Sequence, residues 1–332
     1  MRQLTFNFNT MIQAPDFKER QIFFLDAMKI PDCQLSLRNE NILIREDGKT
    51  KDKIPVNKLV AIFIIGDLTI TSKLLQKISR VGASLYFLKR NFETYANTGA
   101  YAEGNYILRQ KQYSLSPEQS LKISQKIVAN KLRNSIALLR SAGIKKINKK
   151  SRLQYKREMR QKIKNTNDLA SLRGIEGVIS KDFFSAYFSK INWYRRVPRG
   201  KVDENNILLD MGYNFLFHFI DSILRVYGFD TYKGIYHQLF FQRKSLACDM
   251  MEPFRCIIEK ALFKMHTLGQ FDKKDFGYKQ GQYYLSYKNS GKYAKIFLQE
   301  ILRYKMDIYH YIRNYYYLIL NEEGEVKDFV IR

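Results

Sequence analysis

The hydrophobic pattern of this chain changes period once, and that change limits what it can fold into. Up to about residue 95 the apolar residues come in short β-prone runs: QLTFNFNT, QIFFLDAM, ILIRED, KLVAIFIIG and SLYFLKR. The turn-like EDGKTKDK at 46–53 interrupts them, and Gly66-Asp67 closes KLVAIFIIG, a buried-strand candidate. One short amphipathic helix is expected among these runs, over TSKLLQKISRVG. It has Leu74, Leu75 and Ile78 on one side and Gly82 as its stop. From Ser116 the spacing is helical. Ser116 as cap, Pro117 in the first turn and Glu118 behind it are helix-start chemistry. Val128, Leu132, Ile136 and Leu139 then recur by three or four until Gly143. The pattern stays mostly helical to about residue 320, with no internal repeat. The expected class is α+β: a small β-rich N-terminal domain over 1–95, a linker over 96–115 and a larger all-α domain over 116–332.

Composition narrows the partners. The chain has 332 residues, 45% of them hydrophobic, enough for a packed core in one large domain or two ordinary ones. Lys plus Arg is 57 against 32 for Asp plus Glu, a formal charge of +25 that attracts polyanions. Nucleic acid is the first candidate and an anionic membrane surface the second, while a ribosome-associated or merely basic protein stays open. Cys33, Cys248 and Cys256 are odd in number and form no CxxC, which argues against a disulfide framework or structural zinc and fits a reducing cytoplasm. Cys248 and Cys256 read as small apolar fillers. MRQLTFNFNTMIQ lacks an uninterrupted apolar stretch, and no run is read as long enough to span a bilayer, so no membrane partner is expected. The basic block at 145–164 is either a solvated helix face or connector, or a nucleic-acid contact.

In so basic a chain, acids inside apolar segments stand out. HQLFFQRKSLACDMMEPFR (237–255) sets His237, Asp249 and Glu252 among Leu, Phe, Met and Ala. Buried carboxylates are costly unless a cation or hydrogen bonds offset their desolvation, and an arginine or a metal ion is the expected partner. Ser245 is a possible cap for a helix from Leu246, and Asp249 and Glu252, three apart, are expected on the same side of it. So close a pair repels unless a cation sits between or beside them. Pro253 clashes with the carbonyl of Asp249 if the helix continues, or else begins the next helix. A third acid lies in NDLASLRGIEGVISKDFFSAYF, which Asn167 or Asp168 can cap. Leu172, Glu176, Ile179, Phe183 and Tyr187 share one face, apolar except at Glu176. Gly174 and Gly177 flank it, each weakening a helix by about 1 kcal/mol relative to alanine, with room for a ligand or backbone as the compensation. By itself Glu176 reads as a buried acid paired with Arg or Lys. Together with His237 and the Asp249/Glu252 pair it makes an oxygen-rich set with one imidazole, suited to Mg²⁺ or Mn²⁺ rather than zinc. A divalent ion beside a basic surface is equipment for phosphodiester chemistry, whether cutting or joining. His218, His266 and His310 read as structural.

These stretches, in order, resemble the CRISPR-associated integrases of spacer acquisition, the Cas one endonuclease family, over nearly the whole chain. GDLTITSKLLQKISRVGASLYFLKRN is similar to that family's strand-helix-strand, and KIVANKLRNSIALLR to its first long helix. LRGIEGVISKDFFSAYF resembles its glutamate motif. VDENNILLDMGYNFL resembles its D-x-x-N-x-L-L-x-x-G-Y segment through Asp203, Asn206, Gly212 and Tyr213. HQLFFQRKSLACDMMEPFR resembles its H…R-x-S-L-A-x-D-x-x-E-x-F-R motif through His237, Arg243, Ser245, Asp249, Glu252 and Arg255. Gln242, where glycine is common, and Cys248, where leucine is usual, depart from it. The resemblance implies a β-sandwich-like N-terminal domain used for dimerisation and a helical catalytic domain. It implies Glu176, His237 and Glu252 as ligands of Mg²⁺ or Mn²⁺, with Asp249 beside them as an outer-shell or second ligand and a fourth catalytic residue. Homodimers around the small companion protein, Cas two, would bind double-stranded DNA (a prespacer and the CRISPR repeat). A 3′-hydroxyl would then attack a repeat phosphodiester. A metal nuclease that only cleaves, and a non-catalytic basic scaffold, are the rival readings.

Around the acids, Arg195, Arg196, Arg199 and Lys201 in WYRRVPRGK read either as phosphate contacts or as a basic loop. Arg243 and Lys244, between the expected ligands, are stronger candidates for DNA contact, and Arg255 for orienting a carboxylate or phosphate. Tyr187 and the aromatic runs YHYIRNYYY and GQYYLSYK read mainly as core or interface, with a few rings free to stack on splayed bases. Trp193 has no assigned role.

Overall fold

A computed structural model of the chain describes residues 14–99, 105–191, 193–237, 241–321 and 326–332. The expected strand QLTFNFNT lies outside them. After a short helix α1 (Ala14–Glu19), the N-terminal part carries β1 (Gln21–Asp26), β2 (Gln34–Arg38), β3 (Asn41–Glu46), β4 (Lys49–Pro55), β5 (Leu59–Ile65), β6 (Thr69–Ile70), α2 (Ser72–Arg80), β7 (Ser84–Leu88) and β8 (Thr94–Thr98). They form two four-stranded sheets, ordered β1-β5-β7-β8 and β4-β3-β2-β6. In the first sheet β1, β5 and β7 run parallel and β8 antiparallel. Every residue of β5 is buried, as an uninterrupted apolar run covered on both faces requires. Ile62 and Ile64 face a core shared with Leu35, Ile42 and Ile44 of the second sheet and with Leu74 and Ile78 of α2. Ala61, Phe63 and Ile65 face the helices. Gly66, at φ +101°, ends the strand where a Cβ would meet the Met28 backbone at 2.7 Å. The segment 46–53, expected as a turn, contains only a tight turn at Asp47-Gly48, after which KTKDKIP continues as β4. Its lysines and lack of apolar alternation belong to an exposed edge strand.

The stretch expected as a linker holds the end of β8 and a helix, α3 (Tyr106–Tyr113). Then come α4 (Pro117–Ser141), a small hairpin of β9 (Lys146–Ile147) and β10 (Lys150–Ser151), α5 (Arg152–Lys164), α6 (Leu169–Tyr187) and α7 (Glu204–Tyr227). They are followed by α8 (Ser245–Met251), α9 (Arg255–Thr267), a hairpin of β11 (Phe276–Lys279) and β12 (Gln282–Leu285), α10 (Tyr287–Arg303) and α11 (Lys305–Asn321). Ser116 and Gln119 close a reciprocal capping box on α4. The basic block 145–164 is mostly α5, which buries Tyr155, Met159 and Ile163. Length and composition would let α7 cross a membrane, which the reading of apolar runs did not anticipate. Yet 78% of its most apolar window is buried inside the fold, as in a core helix. It packs on the first sheet through Phe215 against Phe63 and His218 against Tyr86. Gly212 lets α9 and α10 close on α7, since a Cβ there would lie 2.4 Å from Ile258. Trp193 stacks on Phe184 and packs on Phe188.

Candidate active site

Four elements deliver the expected ligands. Asp168 caps α6, accepting from the Ser171 amide at 2.8 Å, and Leu172, Ile179, Phe183 and Tyr187 are buried as their spacing predicts. Glu176 shares that face and is half-buried, with Ser180 Oγ donating to its Oε1 at 2.7 Å. A Cβ on Gly174 or Gly177 would meet nothing within 4 Å, so open space adjoins the glutamate's helix. On the far side, Pro253 ends α8. Glu252–Phe254 form a 3-10 turn before α9, and the Glu252 amide donates to the Asp249 carbonyl. Asn134 of α4 donates to the Pro253 carbonyl at 3.0 Å and so ties this turn to α4.

The cation between the acids is a lysine. Lys131 of α4 donates to Glu176 Oε1 and, at 2.6 Å, to Glu252 Oε2. Arg255 Nη1 lies 3.3 Å from Glu252 Oε1, and its guanidinium sits over the Tyr213 ring at 4.2 Å. Burial pushes the Glu252 carboxyl up, but Lys131, Arg255 and His237 outweigh it and hold the pKa at about 2. Burial likewise works against the Lys131 ammonium, and Glu176 and Glu252 overcome it, raising its pKa. Tyr213 donates to buried Glu259 at 2.9 Å, completing a layer beneath the pair. The Tyr236 hydroxyl is buried without a hydrogen-bond partner among the described residues, and both Glu176 and Glu252 act on it.

Asp249 does not share this cation; of the two places expected for it, outer-shell or second ligand, its bonds match the first. It is fully buried and faces the loop before α8. Its Oδ2 accepts from the amides of Ile235 at 2.6 Å and Tyr236 at 3.0 Å. Its Oδ1 accepts from the His237 amide at 2.9 Å and ring Nδ1 at 2.6 Å. An acceptor so engaged has little capacity left for an ion. A proton on Nδ1 leaves Nε2 as the nitrogen of His237 with a lone pair to offer. Gly234 makes the clamp possible: a Cβ there would lie 2.6 Å from Ser245 Cβ and 3.0 Å from Asp249 Oδ2. Ser245 is the first residue of α8, not its cap; Lys244 holds the cap position, with no side-chain cap bond.

Among the described residues, no three His, Cys, Asp or Glu side chains group closely enough to hold a metal ion. Glu176 and Glu252 converge on Lys131 and His237 on Asp249, so the expected three-ligand cluster is met only in part. The donor chemistry still fits a hard divalent ion. Two carboxylates already take a cation between them, the imidazole keeps one nitrogen, and an unpartnered hydroxyl adjoins the pair.

The expected DNA-contacting cations divide. Arg195, Arg199 and Arg243 are exposed and Lys201 is half-buried. Arg196 turns inward, donating to Asp210 and, at 2.8 Å, to Asn206. Asn206, held by the α7 cap Asp203, also bonds the Arg195 carbonyl and Val197 amide, so the D-x-x-N segment staples the WYRRVPRGK loop to α7. Lys244 is buried and donates to Asp221 at 2.7 Å, which takes it away from any phosphate in solvent. Tyr194 and Phe241 are exposed rings beside the site's loops, while Tyr309, Tyr311, Tyr315 and Tyr316 are core. Sequence reasoning missed Lys131, Asn134, Gly234 and Tyr236. The stated need for a cation beside the acids pointed to Lys131, but 57 basic residues hid it.

A family model described as CRISPR associated protein Cas1 matches residues 28–299. A CRISPR-associated endonuclease Cas1 of Thermodesulfovibrio yellowstonii is 27% identical over 257 residues, 74% of this chain and 80% of the relative. A casposase bound to integration product superposes with a TM-score of 0.78 at 18% identity, covering 92% of each chain. A Cas6-RT-Cas1–Cas2 complex superposes with a TM-score of 0.75 at 22% identity, covering 93% of this chain and 36% of that one. At these identities the two structures speak for the fold.

Proposed function

The chain belongs to the CRISPR-associated Cas1 family, and from that premise we propose that it is a metal-dependent DNA integrase and nuclease of spacer acquisition. It would insert short duplexes into a CRISPR repeat by attack of a 3′-hydroxyl on a phosphodiester. One observation carries the catalytic part: Glu176 and Glu252, from separate elements, meet on a single cation, with His237 near enough to act on Glu252. Glu176, Glu252 and Nε2 of His237 would hold Mg²⁺ or Mn²⁺. Such an ion, when bound, polarises a phosphoryl oxygen and stabilises charge on the leaving oxygen.

The chain's own residues do the positioning. Asp249 fixes the ring and tautomer of His237, which makes it a positioning residue rather than a ligand. Arg255 orients Glu252. Exposed Arg195, Arg199 and Arg243, with Lys201, take phosphates of double-stranded DNA. Open space beside Gly174 and Gly177 leaves room for a DNA backbone near Glu176. Tyr194 and Phe241 are the rings placed to stack on splayed bases. The β-rich part over 1–95 serves dimerisation, the stretch over 96–115 connects, and 116–332 is catalytic, with Cas2 as the small companion in the assembly. Three free cysteines support a reducing, cytoplasmic setting.

The test combines the protein, its small companion, Mn²⁺ or Mg²⁺, a short duplex and a supercoiled plasmid carrying a repeat. Covalent joining that is lost with chelator and in Glu176→Ala and His237→Ala is the expected result. Cleavage without joining supports a nuclease that only cuts. Full activity in both variants points to a basic scaffold and overturns the catalytic assignment.

A further inference from the structure

Lys131 occupies the place a divalent ion would need. Its ammonium bridges Glu176 and Glu252, and only 11% of its side chain is exposed. The backbone of α4 at this point is fixed. Asn130 exchanges two hydrogen bonds with Phe329, Asn134 accepts from the Ile331 amide at 3.1 Å, and Asn134 also holds the Pro253 carbonyl. Motion of Lys131 is therefore left to its flexible four-carbon stem. Resting on the metal reading above, we propose that Lys131 is a built-in counter-cation: it holds Glu176 and Glu252 together when no divalent ion is bound, and is displaced when one binds.

The charges bonded directly to one another favour a displacement of this kind. Glu176, Glu252, Lys131 and Arg255 sum to zero, with Glu259 and Asp249 engaged by Tyr213 and by the His237 loop outside that set. A divalent ion added to that set leaves two positive charges in a largely dehydrated place, which is unfavourable. Withdrawal of one cation relieves half of the excess. Arg255 is the worse candidate to leave, because its guanidinium is seated on Tyr213 as well as on Glu252. Among the described residues Lys131 has no aromatic seat, and its side chain is tied to the two carboxylates an ion would take over. The arrangement also selects among ions. A monovalent cation gains little by replacing an ammonium of the same charge, whereas a divalent ion brings a second charge to both carboxylates.

Mn²⁺ alone, without DNA, is titrated into wild-type, Lys131→Met and Glu176→Gln proteins, reading heat of binding and melting temperature. Lys131→Met is expected to melt below wild type without metal. It should bind Mn²⁺ about tenfold more tightly, at a site that Glu176→Gln removes, and gain more melting temperature from it. Equal or weaker affinity in Lys131→Met, with the Glu176-dependent site still present, overturns the displacement and leaves the metal reading standing. Absence of Glu176-dependent Mn²⁺ binding in both wild type and Lys131→Met overturns both. A second measurement uses the wild-type protein: acetylation of Lys131 by a water-soluble, amine-reactive acetyl ester, whose alcohol leaves as the Nζ–acetyl bond forms, followed by mass spectrometry. Mn²⁺ should speed it several-fold, and an unchanged or slower rate refutes the displacement whatever the variant does.

Discussion

Replacing Asp249 by asparagine separates a structural clamp from a metal ligand. The two oxygens of Asp249 accept four hydrogen bonds, from the amides of Ile235, Tyr236 and His237 and from the His237 ring. Asparagine has one oxygen to offer. If its oxygen serves His237, its NH₂ group faces the Ile235 and Tyr236 amides; if it serves those, its NH₂ group faces the His237 amide and a ring that can accept through Nδ1 only by giving up the tautomer Asp249 holds. Two charge-assisted bonds are lost either way, in a fully buried position. Each such loss costs about 1.5–3 kcal/mol, so Asp249→Asn should destabilise the fold by about 3–6 kcal/mol. Against a net stability of about 5–15 kcal/mol that is a large share. For a chain of 332 residues it corresponds to a fall in melting temperature of roughly 4–9 °C. Thermal melts and urea titrations of the metal-free protein measure it directly. Loss of nuclease activity alone would not discriminate, because on the proposed function a released His237 would also stop catalysis. An Asp249→Asn protein that melts within about 2 °C of wild type yet is inactive would refute the clamp and return Asp249 to the chemistry.

Two glycine changes should move stability in opposite directions. Gly234→Ala drives a Cβ to within 2.6 Å of Ser245 Cβ and should cost about 1–3 kcal/mol in a urea titration. Gly177→Ala meets nothing within 4 Å and should gain up to about 1 kcal/mol of helix stability, while lowering DNA affinity in a filter-binding assay if the space serves a DNA backbone. His218 supplies a pH test: burial pushes its pKa down from 6.5 to about 3, and its Nδ1 has no partner among the described residues. Between those values the unfolded chain binds a proton that the folded one refuses, so stability falls as pH falls through that window. His218→Leu should shrink the difference in unfolding free energy between about pH 7 and about pH 5.5 by about 1.2 kcal/mol, and an unchanged difference would refute the assignment.

What the sequence revealed, and what it hid, follows from how each feature is encoded. β5 was legible because LVAIFII is apolar on both faces, and α4 because Ser116, Pro117 and Glu118 write its start in side-chain chemistry. β4 was not, because an edge strand of KTKDK carries no burial pattern. The hairpin of β11 and β12 was hidden too, its tyrosines being split between exposed and half-buried positions. Spacing correctly put Glu176 on an apolar face. What spacing could not show is that Asp249 and Glu252, three apart, engage different partners: Asp249 takes the amides of the loop before α8 and the His237 ring, and Glu252 takes Lys131.

Acids and bases carried unequal information for a related reason. Acidic residues number 32 against 57 basic ones, so an acid within an apolar segment is a rare event that implies a specific partner. A lysine in this chain implies nothing until its surroundings are known. Lys131, Lys244 and Arg196 look like any of the other cations, yet each is withdrawn from solvent by an acid that lies 14 to 121 residues away. Only the fold decides which cations are spent inside and which remain for phosphate. The exposed set that results, Arg195, Arg199 and Arg243, brackets the loop from α6 to α7 and the start of α8. The proposed DNA-binding surface is therefore defined as much by the acids that remove cations from it, Asp210 and Asp221, as by the arginines that stay.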